Sequence, residues 1–202
     1  MNEHNENTNP RALVAVLTDE TADSPHEVFR RCHALEQLSA SGAETVGALP
    51  AILRSLIVPV SVDCVLALRV AAAEAAWKVG ARHDLALPFL AWALKDEYWG
   101  VSRKAAQVLA EMGSVAHDVI PDLANLAERR LDHGPFHYEE FGDVNDGASL
   151  LTAIATAIGN CGRGIEHVEA ARRILSRIVH CEDPDACTAA QQAVKQLQDI
   201  PA

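Results

Sequence analysis

Aromatic side chains are scarce in this chain, nine in 202 residues, so its interior has to be built from aliphatic side chains and alanine rather than from stacked rings. Basic residues are also few. Seventeen Lys and Arg stand against 28 Asp and Glu, a formal net charge of −11, a balance that repels phosphate backbones and argues against nucleic-acid binding. No run approaches the ~18 uncharged apolar residues of a membrane span. The five cysteines, Cys32, Cys64, Cys161, Cys181 and Cys187, are odd in number and contain no CxxC pair. Lying mostly among alanines and leucines, they point to structural thiols in a reduced, cytoplasmic setting. There is no glycine-rich phosphate loop, no nucleophile elbow and no Cys–His constellation. No cofactor and no enzymatic activity are therefore expected.

A repeated pattern takes the place of such motifs. In Leu68 to Gly80, LRVAAAEAAWKVG, the residues Leu68, Ala71, Ala72, Ala75 and Val79 form one apolar helical stripe. Glu74 and Lys78 read as a solvated i, i+4 pair, and Gly80 as a left-handed stop. Eight residues later comes a proline, and the interval recurs as Gly42 to Pro50, Gly80 to Pro88 and Gly113 to Pro121. Each proline sits in a matching context, LPAI, LPFL or IPDL, suited to a helix's first turn. The thirteen-residue motif returns as VSRKAAQVLAEMG (Val101 to Gly113) and LLTAIATAIGNCG (Leu150 to Gly162), with small residues where helices must approach closely.

These residues resemble HEAT repeats, the helical-pair family that includes the phycobilisome-lyase type of repeat, over roughly Ser24 to Gln198. That family places an aspartate five positions before the second helix's aliphatic residue, matched by Asp63 before Leu68 and Asp96 before Val101. Its usual next arginine is matched by Arg69 and displaced to Arg103; the following unit has Asn145 before Leu150 and no arginine. The resemblance implies an all-α fold, a right-handed α-solenoid of about five antiparallel helix pairs. One domain is expected over 10–202, after a polar, disordered tail at Met1 to Asn9.

In chain order, the expected pairs are Pro10–Leu17 with Pro25–Ala40, Gly47–Ile57 with Asp63–Val79, Asp84–Lys95 with Gly100–Met112, Ala116–Leu131 with Gly147–Asn160, and Ile165–His180 with Pro184–Gln198. Ser24, Pro25 and Glu27 read as a capping box, with Glu27 reaching back to the cap, and Asp183 before Pro184 as a second cap-plus-proline start. Spacing between glycine stops is 33 residues from Gly80 to Gly113, 38 from Gly42 to Gly80 and 49 from Gly113 to Gly162. The surplus falls within pairs, at turns that line one edge of a solenoid, where insertions enlarge a binding face.

The largest insertion is Asp132 to Gly147, DHGPFHYEEFGDVNDG. It carries Phe136, Tyr138 and Phe141, and the preceding unit's matching turn carries Tyr98 and Trp99, which puts five of the nine aromatics on one edge. Phe29, Trp77, Phe89 and Trp92, on helices, are expected in the core. Residues 114–147 hold eight acids and two bases. The expected site is an aromatic patch of Tyr98, Trp99, Phe136, Tyr138 and Phe141, rimmed by Asp96, Glu97, Glu139, Glu140 and Asp143, facing a basic protein. Two blander readings stay open: the rings fold inward as a plug, and the acids merely solvate a loop.

His133 and His137 are the obvious metal ligands, but Gly134 and Pro135 keep them from sharing a helix face, so no metal is expected. The HEAT-type di-iron hydroxylases carry repeated His–Glu pairs, and only His26–Glu27 has that order here; the HEAT-like DNA glycosylases need a basic face that is absent. Arg172, Arg173 and Arg177 form a basic cluster that reads as a solvated face or an anion site. His83–Asp84 and His117–Asp118 are turn residues. A protein-binding module is the favoured function. The alternatives are an inhibitor or immunity protein for a basic toxin, a phycobilin-lyase-like enzyme by resemblance, and a purely structural subunit.

Overall fold

A computed structural model describes residues 9–19, 24–57, 65–96, 99–133, 150–162 and 167–198. Among them there are ten α-helices: α1 (Pro10–Thr18), α2 (Pro25–Ser41), α3 (Leu49–Ile57), α4 (Val65–Gly80), α5 (His83–Ala93), α6 (Trp99–Met112), α7 (Ile120–His133), α8 (Leu150–Cys161), α9 (Val168–Ile178) and α10 (Pro184–Gln198). No described residue is in a strand. The chain divides into two compact units, 1–89 and 90–202, which are taken in turn.

In the first unit α1 packs on α2 and α3 on α4, while α2 also packs on α4 and α1 on α3. First helices of successive pairs thus share one layer and second helices the other. Ser24 Oγ accepts the Glu27 N–H at 3.3 Å, but the Glu27 carboxylate turns to Arg30, at 2.9 and 3.0 Å, instead of closing the capping box. The buried row of α2 is Val28, Arg31, Ala34, Leu35, Leu38 and Ser39. Phe29 lies one step round the helix from Val28 and is 73% exposed, contrary to its expected place in the core. Arg31 is buried in its stead and donates to the Asp19 carbonyl at the end of α1.

Buried Leu68 and Ala72 lie on α4 as expected, but burial there runs through Ala71, Ala73, Glu74, Ala75 and Ala76 as well. The helix therefore has no solvated side in this stretch, and Glu74 is 5% exposed rather than solvated. Lys78 satisfies it from the next turn, Nζ to Oε1 2.8 Å. A buried carboxylate needs such a partner, since an unpaired charge away from water is costly.

Glycine stops take two forms. Gly42 (φ 57°, ψ −140°) and Gly113 (φ 63°) have the positive φ that favours glycine and lead into matching 3-10 turns, 42–48 and 113–119, each with one kinked residue, Thr45 (φ −102°, ψ 19°) or Ala116 (φ −97°, ψ 21°). α3 and α7 then start one residue before Pro50 and Pro121, so these turns replace the helix starts expected at Gly47 and Ala116. Gly80 differs: the left-handed residue is Ala81 (φ 50°), and the Arg82 N–H reaches back six residues to the Ala76 carbonyl at 3.2 Å. Gly80 also lies close to α3: a methyl there would be 2.8 Å from both Leu49 methyls, which would have to shift. α5 then begins at His83, which leaves Pro88 inside a helix rather than in its first turn. Gly162 is likewise not left-handed; a methyl there would meet the Leu197 side chain and lie 2.6 Å from the Ile158 carbonyl.

In the second unit α6 packs on α8 and α8 on α10, while α7 packs on α9, the same two-layer order. α8 is buried at Leu150, Leu151, Ala153, Ile154, Ala155, Ala157, Ile158, Gly159 and Cys161, and Leu109 on α6 is fully buried. The last carbonyls of α6, without partners inside their own helix, receive donors from α8: Asn160 Nδ2 on Ala110 at 3.0 Å and Cys161 Sγ on Leu109 at 3.3 Å. Trp92, on the side of α5 away from buried Leu90 and Leu94, is 46% exposed and is not a core residue.

Candidate functional site

The expected edge lies wholly in the second unit, where the α5–α6 turn meets the end of α7. α5 ends at Ala93, leaving its last carbonyls to be satisfied by side chains. Ser102 Oγ donates to the Ala93 and Asp96 carbonyls, 3.2 Å each, and ties the start of α6 to the end of α5. From α7, Arg129 donates to the Leu94 carbonyl at 2.7 Å, and Lys95 reaches Asp122 at 3.3 Å. The turn is thereby fastened to the helix that leads into the insertion.

Trp99 opens α6 rather than lying in the turn before it, and it is half-buried. The Arg130 guanidinium stands over its ring, 5.6 Å from the centroid, a cation–π placement. Asp96 is half-buried at the same corner. Glu97, Tyr98, Phe136, Tyr138, Glu139, Glu140, Phe141 and Asp143 lie outside the described residues, as does His137. Of the ten residues expected at the site, the structure thus brings Asp96 and Trp99 to one corner. Arg129 and Arg130 join them. Sequence reasoning counted these two only as exceptions within an acidic stretch, because their place at this corner depends on how α7 packs.

Charge at the root of the insertion is also partly matched. Arg177 Nη2 lies 2.6 Å from Asp132 Oδ1, and Arg173 Nη2 lies 3.0 Å from Glu128 Oε1. The partners are four residues apart on both helices and in the same order, so α7 and α9 run parallel. These contacts engage two members of the basic cluster with carboxylates, and Arg172 lies 3.6 Å from Glu169, as a solvated charged face does.

Other candidate chemistry is thin. Among the described residues no group of three or more His, Cys, Asp or Glu could hold a metal ion, and no helix is long and apolar enough to cross a membrane. His83 Nδ1 and His117 Nδ1 sit 3.1 Å from the Ala81 and Ser114 carbonyls, turn contacts as expected. A shallow cleft of about 370 Å³ is lined by Pro10, Arg11, Val14, Glu44, Thr45 and Ala48 among others, and presents no nucleophile. One juxtaposition is new: Cys181 and Cys187 stand 3.9 Å apart, Sγ to Sγ.

No protein-family model matches the sequence, and no curated protein does. Solved structures are similar in fold. A chain of the complex of CpcE and CpcF of phycocyanin lyase from Nostoc sp. PCC7120 aligns with 94% of this chain at 21% identity and a TM-score of 0.66. Two engineered proteins align with 93% and 95% at 18% and 17% identity, both with TM-scores of 0.61. This chain spans 65%, 78% and 48% of their respective lengths. At these identities the likeness carries the fold alone: an all-α, HEAT-like helical repeat.

Proposed function

We propose that this chain is a protein-binding helical-repeat module whose recognition edge is formed by the turns within the α5–α6 and α7–α8 pairs. The observation that carries the reading is Arg130 over Trp99, which sets the first residue of α6 beside the last turn of α7, the helix that leads into the insertion. A half-buried tryptophan is the residue type that anchors an interface, and it needs little further ordering. The rim acids Asp96, Glu97, Glu139, Glu140 and Asp143 select a basic surface on the partner and steer its approach. That one similar fold belongs to a two-protein complex, CpcE with CpcF, supports protein binding as a use of this scaffold.

A structural plug is the competing reading, favoured by the same guanidinium, which covers one face of the ring. Photo-cross-linking from position 99 identifies the partner, and its affinity is then measured for wild type and variants. Trp99→Ala is expected to weaken binding by on the order of 2 kcal/mol, with the melting temperature little changed. Neutralising Glu139, Glu140 and Asp143 is expected to slow association and flatten its salt dependence. Trp99→Ala that lowers the melting temperature and leaves affinity intact makes the ring a plug and refutes the interface.

A further inference from the structure

We propose that Cys181 and Cys187 are a dithiol–disulfide pair, oxidised by exchange with a low-molecular-weight disulfide of the glutathione class. α9 ends at Ile178, and α10 starts at Pro184 behind the Asp183 cap, whose Oδ1 accepts the Asp185 and Ala186 N–H groups at 3.0 and 3.1 Å. Cys187 follows in the first turn of α10, with its N–H on the Asp183 carbonyl at 3.0 Å. The chain folds back over this cap, and the two sulfurs come to 3.9 Å, van der Waals contact. The arrangement is close to a hydrophobic staple, with sulfur at both ends and one position further out on the N-terminal side.

Accessibility separates this pair from Cys161 but not from Cys32, which is also half-buried; what sets the pair apart is the 3.9 Å between its sulfurs. Cys181 and Cys187 are each half-buried at the end of the helix pair, whereas Cys161 is fully buried with its Sγ on the Leu109 carbonyl. Each sulfur has backbone carbonyls in reach: Cys187 those of Cys181 (3.2 Å) and Ile178 (3.6 Å), and Cys181 that of Asp183 (3.6 Å).

The exchange balances as follows. One thiol of the pair loses its proton, and its thiolate attacks the small disulfide to give a mixed disulfide and one small thiolate. The second thiol, deprotonated in turn, attacks the protein sulfur of the mixed disulfide and expels the other small thiolate. The two protons end on the two leaving thiols, and the protein's two sulfurs are oxidised by one electron pair. The bridge pins the α9–α10 turn and opens again under a reducing thiol poise.

The test treats the full chain with oxidised glutathione and reads intact mass and linked peptides. Expected are a loss of about 2 Da for the two hydrogens removed, a peptide linking 181 to 187, and a melting temperature raised by roughly 2–8 °C that dithiothreitol reverses. Cys181→Ser and Cys187→Ser should each abolish the bridge and retain one glutathione on the remaining cysteine. Two glutathione adducts in wild type, a bridge to any other cysteine, or unmodified Cys181 and Cys187 overturn the proposal. The wild-type mass result decides the matter even if a serine variant folds poorly.

Discussion

Gly159 offers a test in which helix propensity and packing have opposite signs. It sits in α8 against α10, where a methyl group would lie 2.9 Å from Cβ and 3.0 Å from Cα of Ala193, and would also meet Gln196 Oε1. Gln196 is exposed and can swing away. Ala193 cannot: its Cα belongs to the backbone, and its Cβ has no rotamer to change. Gly159→Ala gains about 0.8–1 kcal/mol of intrinsic helix propensity, while overpacking of a tight contact costs typically ~1–3 kcal/mol. Two rigid contacts put the strain in the upper half of that range, so the net is a destabilisation of about 1–2 kcal/mol, or a melting temperature lower by roughly 2–8 °C for a chain of this size. Urea unfolding followed by circular dichroism at constant m-value measures it. A second arm uses Ala193→Gly, which removes the 2.9 Å contact and should couple to Gly159→Ala by at least about 0.5 kcal/mol. Wild-type or higher stability in Gly159→Ala would refute the close approach of α8 and α10.

Cys161 should be inert in the native protein, since burial pushes its thiol up to about 12; dithionitrobenzoate at pH 8 is expected to label it only on unfolding, and labelling at the rate of exposed thiols would contradict its burial. Asp84 accepts two hydrogen bonds from Arg82, 2.9 Å each, and this bonding holds its carboxyl down at about 2, below its usual 3.8. Because the folded value is the lower one, the pair's contribution is fully present above pH ~4 and is lost as the pH falls towards ~2. Asp84→Asn should remove that part of the acid dependence, and an Asp84 carboxyl titrating near 4 by NMR would speak against the pairing.

Helix pairs and their layers were legible because burial follows the 3.6-residue period and punctuation follows the prolines and caps: Ser24, Asp183, Gly42 and Gly113 all act as their residue types imply. Legibility failed where two residue types compete for one place. Phe29 and Trp92 are more apolar than their neighbours, yet the helical phase is set by the whole row, and both are turned out to solvent. Glu74 looked solvated because α4 was taken to have an outer face, which neighbours on all sides remove. Gly80 and Gly162 do not have positive φ; a methyl at 80 would meet the Leu49 side chain, and one at 162 the Leu197 side chain and the Ile158 carbonyl, contacts that the local sequence pattern does not carry. At the candidate site, the aromatic spacing pointed to Trp99 but not to Arg130 over it, a pairing that depends on how α7 packs and not on sequence distance. The proximity of Cys181 and Cys187 needed the turn around Asp183 to be folded before it could be seen.

α8 faces solvent along a single row, Thr152, Thr156 and Asn160, four residues apart, with every other position buried. Helices of a repeat array ordinarily keep one flank wet, and can fray or exchange their amide protons from it. α8 has almost no such flank, so opening it demands that α6 or α10 leave first. The second unit is therefore locked from its middle outward: its outer helices set how often the interior is visited, and any local loosening that reaches α8 is already a cooperative, sub-global event.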